Sequence, residues 1–367
     1  MNTLQRLYAE QDHSPWIDFI DRKLIASGGL AEQVELGIRG LTSNPTIFAK
    51  AVASGQYDEL IRREINAGHD TRRIFEEIEI ADLGDAADIL RTVYDDSDGT
   101  DGFVSIEVEP DLADDSDRTL ERARHLWRRL ARPNVFVKIP ATTAGLPAIE
   151  AAIAEGININ ITLMFSVDVY RAVARAYISG LRSRLRDGGE VGRIASVASF
   201  FVSRVDTKVD KMLDTIGTAA ALAARGQAAI ANAKLAYHAY REIFEGGDFD
   251  DVGAAGARVQ RCLWASTSTK NPAYRDVMYA EELIGPKTVD TLPTETILAF
   301  LDHGVVSRTL DEGLDEAIAA IRAVESLGIR MTTVTDELIT EGVAAFTKSF
   351  EDLMGVIDAQ RKALAPA

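Results

Sequence analysis

The chain has 367 residues, 46% of them hydrophobic, enough to bury the core of one large barrel or of two average domains. Its formal net charge of -17 repels a phosphate backbone, and no Lys/Arg run interleaved with aromatics offsets it, so nucleic acid is not expected as a partner. No stretch approaches the ~18 to 20 consecutive apolar residues of a membrane span, and the lone Cys262 allows neither an internal disulfide nor a multi-thiolate zinc site; a soluble, cytoplasmic protein is expected.

Along the chain, short apolar runs at 16–20, 40–43, 103–108, 135–139, 157–163, 196–202, 259–266 and 288–292 predict eight strands. Between them, stretches such as 118–130, 146–154, 167–185 and 219–244 place apolar residues at helical spacing. Strand alternating with helix predicts a parallel α/β fold, and an eight-fold count predicts a (β/α)8 TIM barrel. The competing open, doubly wound sheet lacks its phosphate loop, because no G-x-G-x-x-G follows the first run. No Pro/Gly/Ser linker splits the sequence, so one domain over 1–367 is expected, with 331–364 as a C-terminal helical appendage.

Four of these runs carry polar groups suited to chemistry. In 135–140, Lys138 shares a strand face with Phe136, and apolar neighbours disfavour an ammonium and expose the neutral amine that attacks carbonyls. An edge lysine reaching back to solvent is an equal alternative at this point. In the next run Asn158, Asn160 and Thr162 alternate with Ile157, Ile159, Ile161 and Leu163. A barrel covered by helices turns the aliphatic face outward and leaves the polar face inside, where it can hold a sugar and a water. Asp18 and Glu107 lie near strand ends, the rim where (β/α)8 barrels keep their proton carriers. Singly, each is as well explained by a helix cap or a solvated surface.

The acidic segment 95–102 resembles a calcium loop only at first sight. Counting from Asp96, Thr100 and Asp101 stand where an Asp or Asn and a Gly are required, and a strand follows where a helix should. The five histidines are scattered without ligand spacing, so no metal is expected.

Three segments resemble the transaldolase family: Gly40-Leu41-Thr42-Ser43-Asn44-Pro45-Thr46-Ile47-Phe48, Val135-Phe136-Val137-Lys138-Ile139-Pro140-Ala141-Thr142 with Gly145, and Gly156 through Ser166. Further likeness runs through Ala198 to Arg204, Trp264-Ala265-Ser266 and Thr288 to Pro293. The resemblance implies a cofactor-free aldol mechanism in which Lys138 forms a Schiff base, Asp18 acts as acid and base, and Glu107 with Thr162 holds a water. It further implies that Asn44, Asn160 and Ser199 bind a dihydroxyacetone unit and that Arg204 binds phosphate. Where many relatives carry Ser-x-Arg, this chain reads Ser266-Thr267-Ser268-Thr269-Lys270, so Lys270 for the charge and Ser266 or Ser268 for a hydroxyl are the substitutes expected there.

The expected activity is transfer of dihydroxyacetone from a ketose phosphate, sedoheptulose 7-phosphate or fructose 6-phosphate, to glyceraldehyde 3-phosphate or erythrose 4-phosphate. A fructose-6-phosphate aldolase-like lyase and a non-catalytic sugar-phosphate-binding barrel are the alternatives. Glu107, and the joint presence of Lys138 and Asp18, set the first apart from them.

Overall fold

A computed structural model describes residues 1–365 as a curled, seven-stranded parallel sheet within a shell of helices. Residues 366 and 367, the end of the expected domain, lie outside the described residues. The strands are β1 (His13–Ile17), β2 (Val104–Glu107), β3 (Val135–Pro140), β4 (Ile159–Met164), β5 (Ser196–Phe201), β6 (Arg261–Ala265) and β7 (Thr288–Leu292), and they pair in the order β1-β7-β6-β5-β4-β3-β2. Every residue of β3 and β4 is buried, as expected of parallel strands covered on both faces.

Eight strands were expected and seven form. The segment 40–43 is reduced to a bridge one residue long: Leu41 pairs in parallel with Ile17 of β1 and Val104 of β2, the two edge strands. The Leu41 N–H donates to the Phe103 carbonyl at 2.9 Å, and Gly40 accepts from the Ile17 N–H at 3.0 Å. The segment cannot run on, because Asn44 caps the helix Pro45–Ala53 and takes the chain out of the sheet. Gly40 lies against Trp16 so closely that a Cβ there would sit 2.3 Å from the indole, which only glycine avoids.

Two other expectations are corrected. The first strand lies three residues earlier than 16–20, since the chain leaves the sheet after Ile17 towards the helix capped by Asp21. The helix expected over 219–244 is broken into Ala219–Ala223 and Ala228–Phe244 by Gly226, whose φ of +71° no helix accommodates.

At the N-terminal end of the sheet, Trp16, Phe103, Phe136, Leu263 and Val289 fill the interior. The Phe103 and Phe136 rings stack at 4.2 Å. Beside them Asp101, 0% exposed, accepts from Trp16 Nε1 at 2.8 Å and from the Ser14 hydroxyl, and pairs with Arg39 at 2.8 Å and Arg261 at 3.4 Å. One member of the acidic segment is thus a buried scaffold group, and Asp95 and Asp96 end a helix. Among the described residues no group of three or more His, Cys, Asp or Glu is placed to hold a metal ion, and no helix is long and apolar enough to cross a membrane.

The last helix, Met331–Leu364, runs for 34 residues and buries Val334, Leu338, Phe350, Leu353 and Ile357 against the helices Pro45–Ala53, Asp58–Asn66, Thr71–Ile89 and Ser203–Ile216. Phe350 meets Phe75 edge to face at 5.9 Å.

Candidate active site

The polar faces of the strands converge at their C-terminal ends on a cavity of about 520 Å³. Phe136 packs in the interior, so alternation along β3 turns Lys138 inward as well, and Lys138 is 9% exposed. The edge-lysine alternative is therefore removed. Lys138 stands in register with Glu107 of β2 and Asn160 of β4. Its Nζ donates to Glu107 Oε2 at 3.0 Å and lies 3.4 Å from the Ser43 carbonyl. Burial pushes the Glu107 carboxyl up from its ordinary value, and the neighbouring Lys138 draws it back down.

Asp18 follows β1 directly, and its N–H is fixed to the Leu292 carbonyl at 2.9 Å. Its carboxylate accepts from Thr42 Oγ1 at 2.8 Å. Burial raises the Asp18 pKa, Thr42 and Lys138 lower it, and Glu295 raises it further. Thr162 lines the same cavity from β4, paired with Pro140. Directly after it Leu163 takes a φ of +57°, where β4 shifts its register against β5. Ser266, which follows β6 and lines the same cavity, has the same φ. Two left-handed, non-glycine residues facing one cavity mark backbone held in place by its surroundings.

Of the residues singled out by sequence, Lys138, Asp18, Glu107, Thr162, Asn44, Ser199, Arg204, Ser266 and Lys270 line this cavity, whereas Asn158 is tied to the Pro133 and Val135 carbonyls away from it. Asn160 does not line it either. It is 0% exposed, donates to Ser105 Oγ at 3.1 Å and accepts from Ser199 Oγ at 2.6 Å, so it ties β2, β4 and β5 together beneath the floor. The Ser199 hydroxyl that it holds does line the cavity. Asn44 spends its carbonyl oxygen on the Ile47 N–H as helix cap, which leaves its amide nitrogen for a ligand.

At the far end lies Arg204, in the first turn of the helix Ser203–Ile216, its guanidinium 5.1 Å from the centre of the Phe201 ring. Among the described residues it has neither an ion pair nor a hydrogen-bond partner, unlike most arginines of this acidic chain. Lys270 approaches from the segment after β6 and donates to Ser268 Oγ at 2.5 Å, and Ser266 Oγ lies 3.0 Å from Ser203 Oγ. Lys270, the cation expected there in place of an arginine, is thus on the cavity wall.

Sequence reading missed Thr42, Glu295, Phe346 and Ser349, which also line the cavity. Glu295 falls in the first turn of the helix after β7, so the strand-end argument that selected Asp18 would have reached it. Phe346 and Ser349 come from the last helix, and nothing local in the sequence shows which helix folds over the mouth.

A sequence model of the Transaldolase/Fructose-6-phosphate aldolase family matches residues 15–357. A protein of Nostoc sp. named Transaldolase 2 is 46% identical over 97% of this chain and 97% of its own length. Proteins named Transaldolase from Thermobifida fusca and Mycolicibacterium paratuberculosis are 48% and 47% identical, covering 92% and 93% of this chain and 93% and 92% of theirs. A match of this length, carried by relatives almost half identical from end to end, makes the chain a member of the transaldolase/fructose-6-phosphate aldolase family.

Proposed function

We propose that the chain is a transaldolase that carries a dihydroxyacetone unit from sedoheptulose 7-phosphate or fructose 6-phosphate to glyceraldehyde 3-phosphate or erythrose 4-phosphate through a Schiff base on Lys138. The observation that carries the reading is an inward amine 3.0 Å from a carboxylate at a strand end, on the same cavity as a second carboxylate, Asp18. Relatives named as transaldolases support it.

Lys138 passes a proton to Glu107, and the free amine adds to the ketose C2 carbonyl. Loss of water leaves an iminium. Asp18 takes the proton of the C4 hydroxyl as the C3–C4 bond breaks, the electron pair passes into the iminium to give an enamine, and the shortened aldose departs. The enamine attacks the acceptor aldehyde while Asp18 returns its proton to the new hydroxyl. A water held by Glu107 and Thr162 then hydrolyses the iminium and frees Lys138. Every proton has a side chain to go to, so the cycle needs neither metal nor organic cofactor.

In this reading Asn44 and Ser199 hold the three-carbon unit, and Asn160 orients the Ser199 hydroxyl. Arg204, with Lys270 and Ser266, takes the phosphate, since an unpaired guanidinium supplies donors in the planar geometry that phosphate oxygens accept. Leu41 acts as the eighth member of a (β/α)8 TIM barrel by linking the edge strands, and the chain is one domain with its last helix laid over the mouth. The protein works in the cytoplasm, where a chain with a single cysteine and no internal disulfide is at home.

A lyase that frees dihydroxyacetone shares each step up to the enamine, and the family description covers both activities. Borohydride added with donor present should reduce a three-carbon adduct onto Lys138, detected by peptide mass; its absence overturns the Schiff base. Free dihydroxyacetone released at the same rate with and without aldose acceptor would make the protein the lyase.

A further inference from the structure

The segment after β6 brings Ser266, Ser268 and Lys270 to the cavity through unfavourable backbone, since Ser266 has a φ of +57°. From the cavity side Ser266 is fixed to one residue: its carbonyl accepts from the Ser203 N–H at 3.0 Å, and the two hydroxyls lie 3.0 Å apart. Thr267 points the other way and is completely buried. Its hydroxyl donates to Asp290 Oδ1 at 2.8 Å and lies 3.4 Å from the Thr291 carbonyl.

Asp290 is the unexpected partner. Val289 belongs to the interior cluster and Thr291 lines the cavity, so alternation along β7 turns Asp290 to the back of the sheet, where it is 0% exposed. Its second oxygen has no hydrogen-bond partner among the described residues. Burial pushes the carboxyl up to about 7, with the Thr267 hydroxyl pulling it down. Burying a carboxyl for a single hydrogen bond is costly, and that bond goes to the segment bearing Lys270.

We propose that Asp290 is a positioning residue: by anchoring Thr267 behind the sheet it holds Ser266 in its left-handed conformation and keeps Ser268 and Lys270 aimed at the substrate phosphate. The inference rests on the reading of the Arg204 end as the phosphate site. Because the anchored groups meet the phosphate and not the reacting carbon, losing the anchor weakens binding of phosphorylated substrate and leaves bond cleavage alone. Either protonation state of Asp290 leaves Oδ1 able to accept, so asparagine is the rescuing substitution.

The test compares fructose 6-phosphate with unphosphorylated fructose as donor for the full chain and its Thr267→Val, Asp290→Ala, Asp290→Asn and Arg204→Ala variants. Thr267→Val and Asp290→Ala should raise KM for fructose 6-phosphate roughly tenfold with kcat held within about twofold, and leave kcat/KM for fructose unchanged. Asp290→Asn should keep the parent KM. Thr267→Val preserves side-chain shape and carries the test if Asp290→Ala does not fold. An unchanged KM in Thr267→Val while Arg204→Ala raises it overturns the anchor and spares the phosphate site. No change in either variant overturns both. Parallel loss with the two donors, or an Asp290→Asn variant as impaired as Asp290→Ala, also overturns the anchor.

Discussion

The sheet carries charge at both ends and treats it in opposite ways: Asp101 is fully buried, Asp18 is half-buried and Arg204 is exposed. At the N-terminal end Asp101 is surrounded by donors, from Trp16, Ser14, Arg39 and Arg261, and all of these belong to the protein. At the C-terminal end Asp18 has one side-chain donor, Thr42, and Arg204 has no partner among the described residues. The two ends differ in what is left over. A buried charge whose hydrogen-bonding capacity is filled by the fold serves stability, and one left part-filled beside a cavity is available to a ligand.

The sharpest break in this comparison pairs Lys138→Met with Asp101→Ala. Lys138→Met should abolish the trapped adduct and turnover with little change in thermal unfolding. Asp101→Ala leaves Arg39 and Arg261 without their buried partner and should cost ~3 to 5 kcal/mol in denaturant unfolding, while the folded fraction keeps its kcat. If the lysine variant unfolds and the aspartate variant does not, the two ends have been assigned the wrong way round. Arg204→Ala comes next, with a loss of about 1.5 to 3 kcal/mol, or roughly ten- to a hundred-fold in kcat/KM for a phosphorylated donor. A guanidinium that only covered the Phe201 ring would leave that ratio nearly unchanged.

Asp290 lies between the two classes, filled on one oxygen and unfilled on the other. With its carboxyl at about 7, the folded protein keeps a proton that the unfolded chain releases at an ordinary carboxylate value, so stability falls as pH rises through that window and is level above it. Asp290→Asn removes the effect. It should match the parent below the window and gain ~1.4 kcal/mol per pH unit within it, read from urea unfolding across pH. A constant difference between the two proteins would show that Asp290 does not titrate there. The smallest expected effect belongs to Glu295→Gln. Taking away a charge that raises the Asp18 pKa should move the acidic limb of kcat/KM slightly downward, and an upward shift would contradict the placement.

The strands were legible in sequence because each is an apolar run with a helix on either side; alternation put Lys138 on the face of Phe136, and the burial of Phe136 in the interior decided that this face is the inner one. The failures have physical causes. Segment 40–43 looks like a strand, but Asn44 and Pro45 start a helix at once and leave only Leu41 to pair. Asn160 alternates as predicted and stands in register with Lys138, but its short amide is engaged by Ser105 and Ser199, partners that alternation does not encode. The Thr42 bond to Asp18 and the arrival of Phe346 depend on which distant segments meet. The family motifs located the cluster of chemical groups, whereas Asp290, outside the motif roles and turned to the back of the sheet, needed coordinates.

The last helix has a consequence for assembly. Gly342, Phe346 and Ser349 form one wall of the cavity, and they leave the ribosome after every strand of the sheet. Parallel strands and their ion pairs can therefore gather while the mouth is still unroofed. During that interval Lys138 already has Glu107 beside it but no roof to sort one carbonyl compound from another. The wall these three residues supply is in this sense the last part of the cavity that the nascent chain acquires.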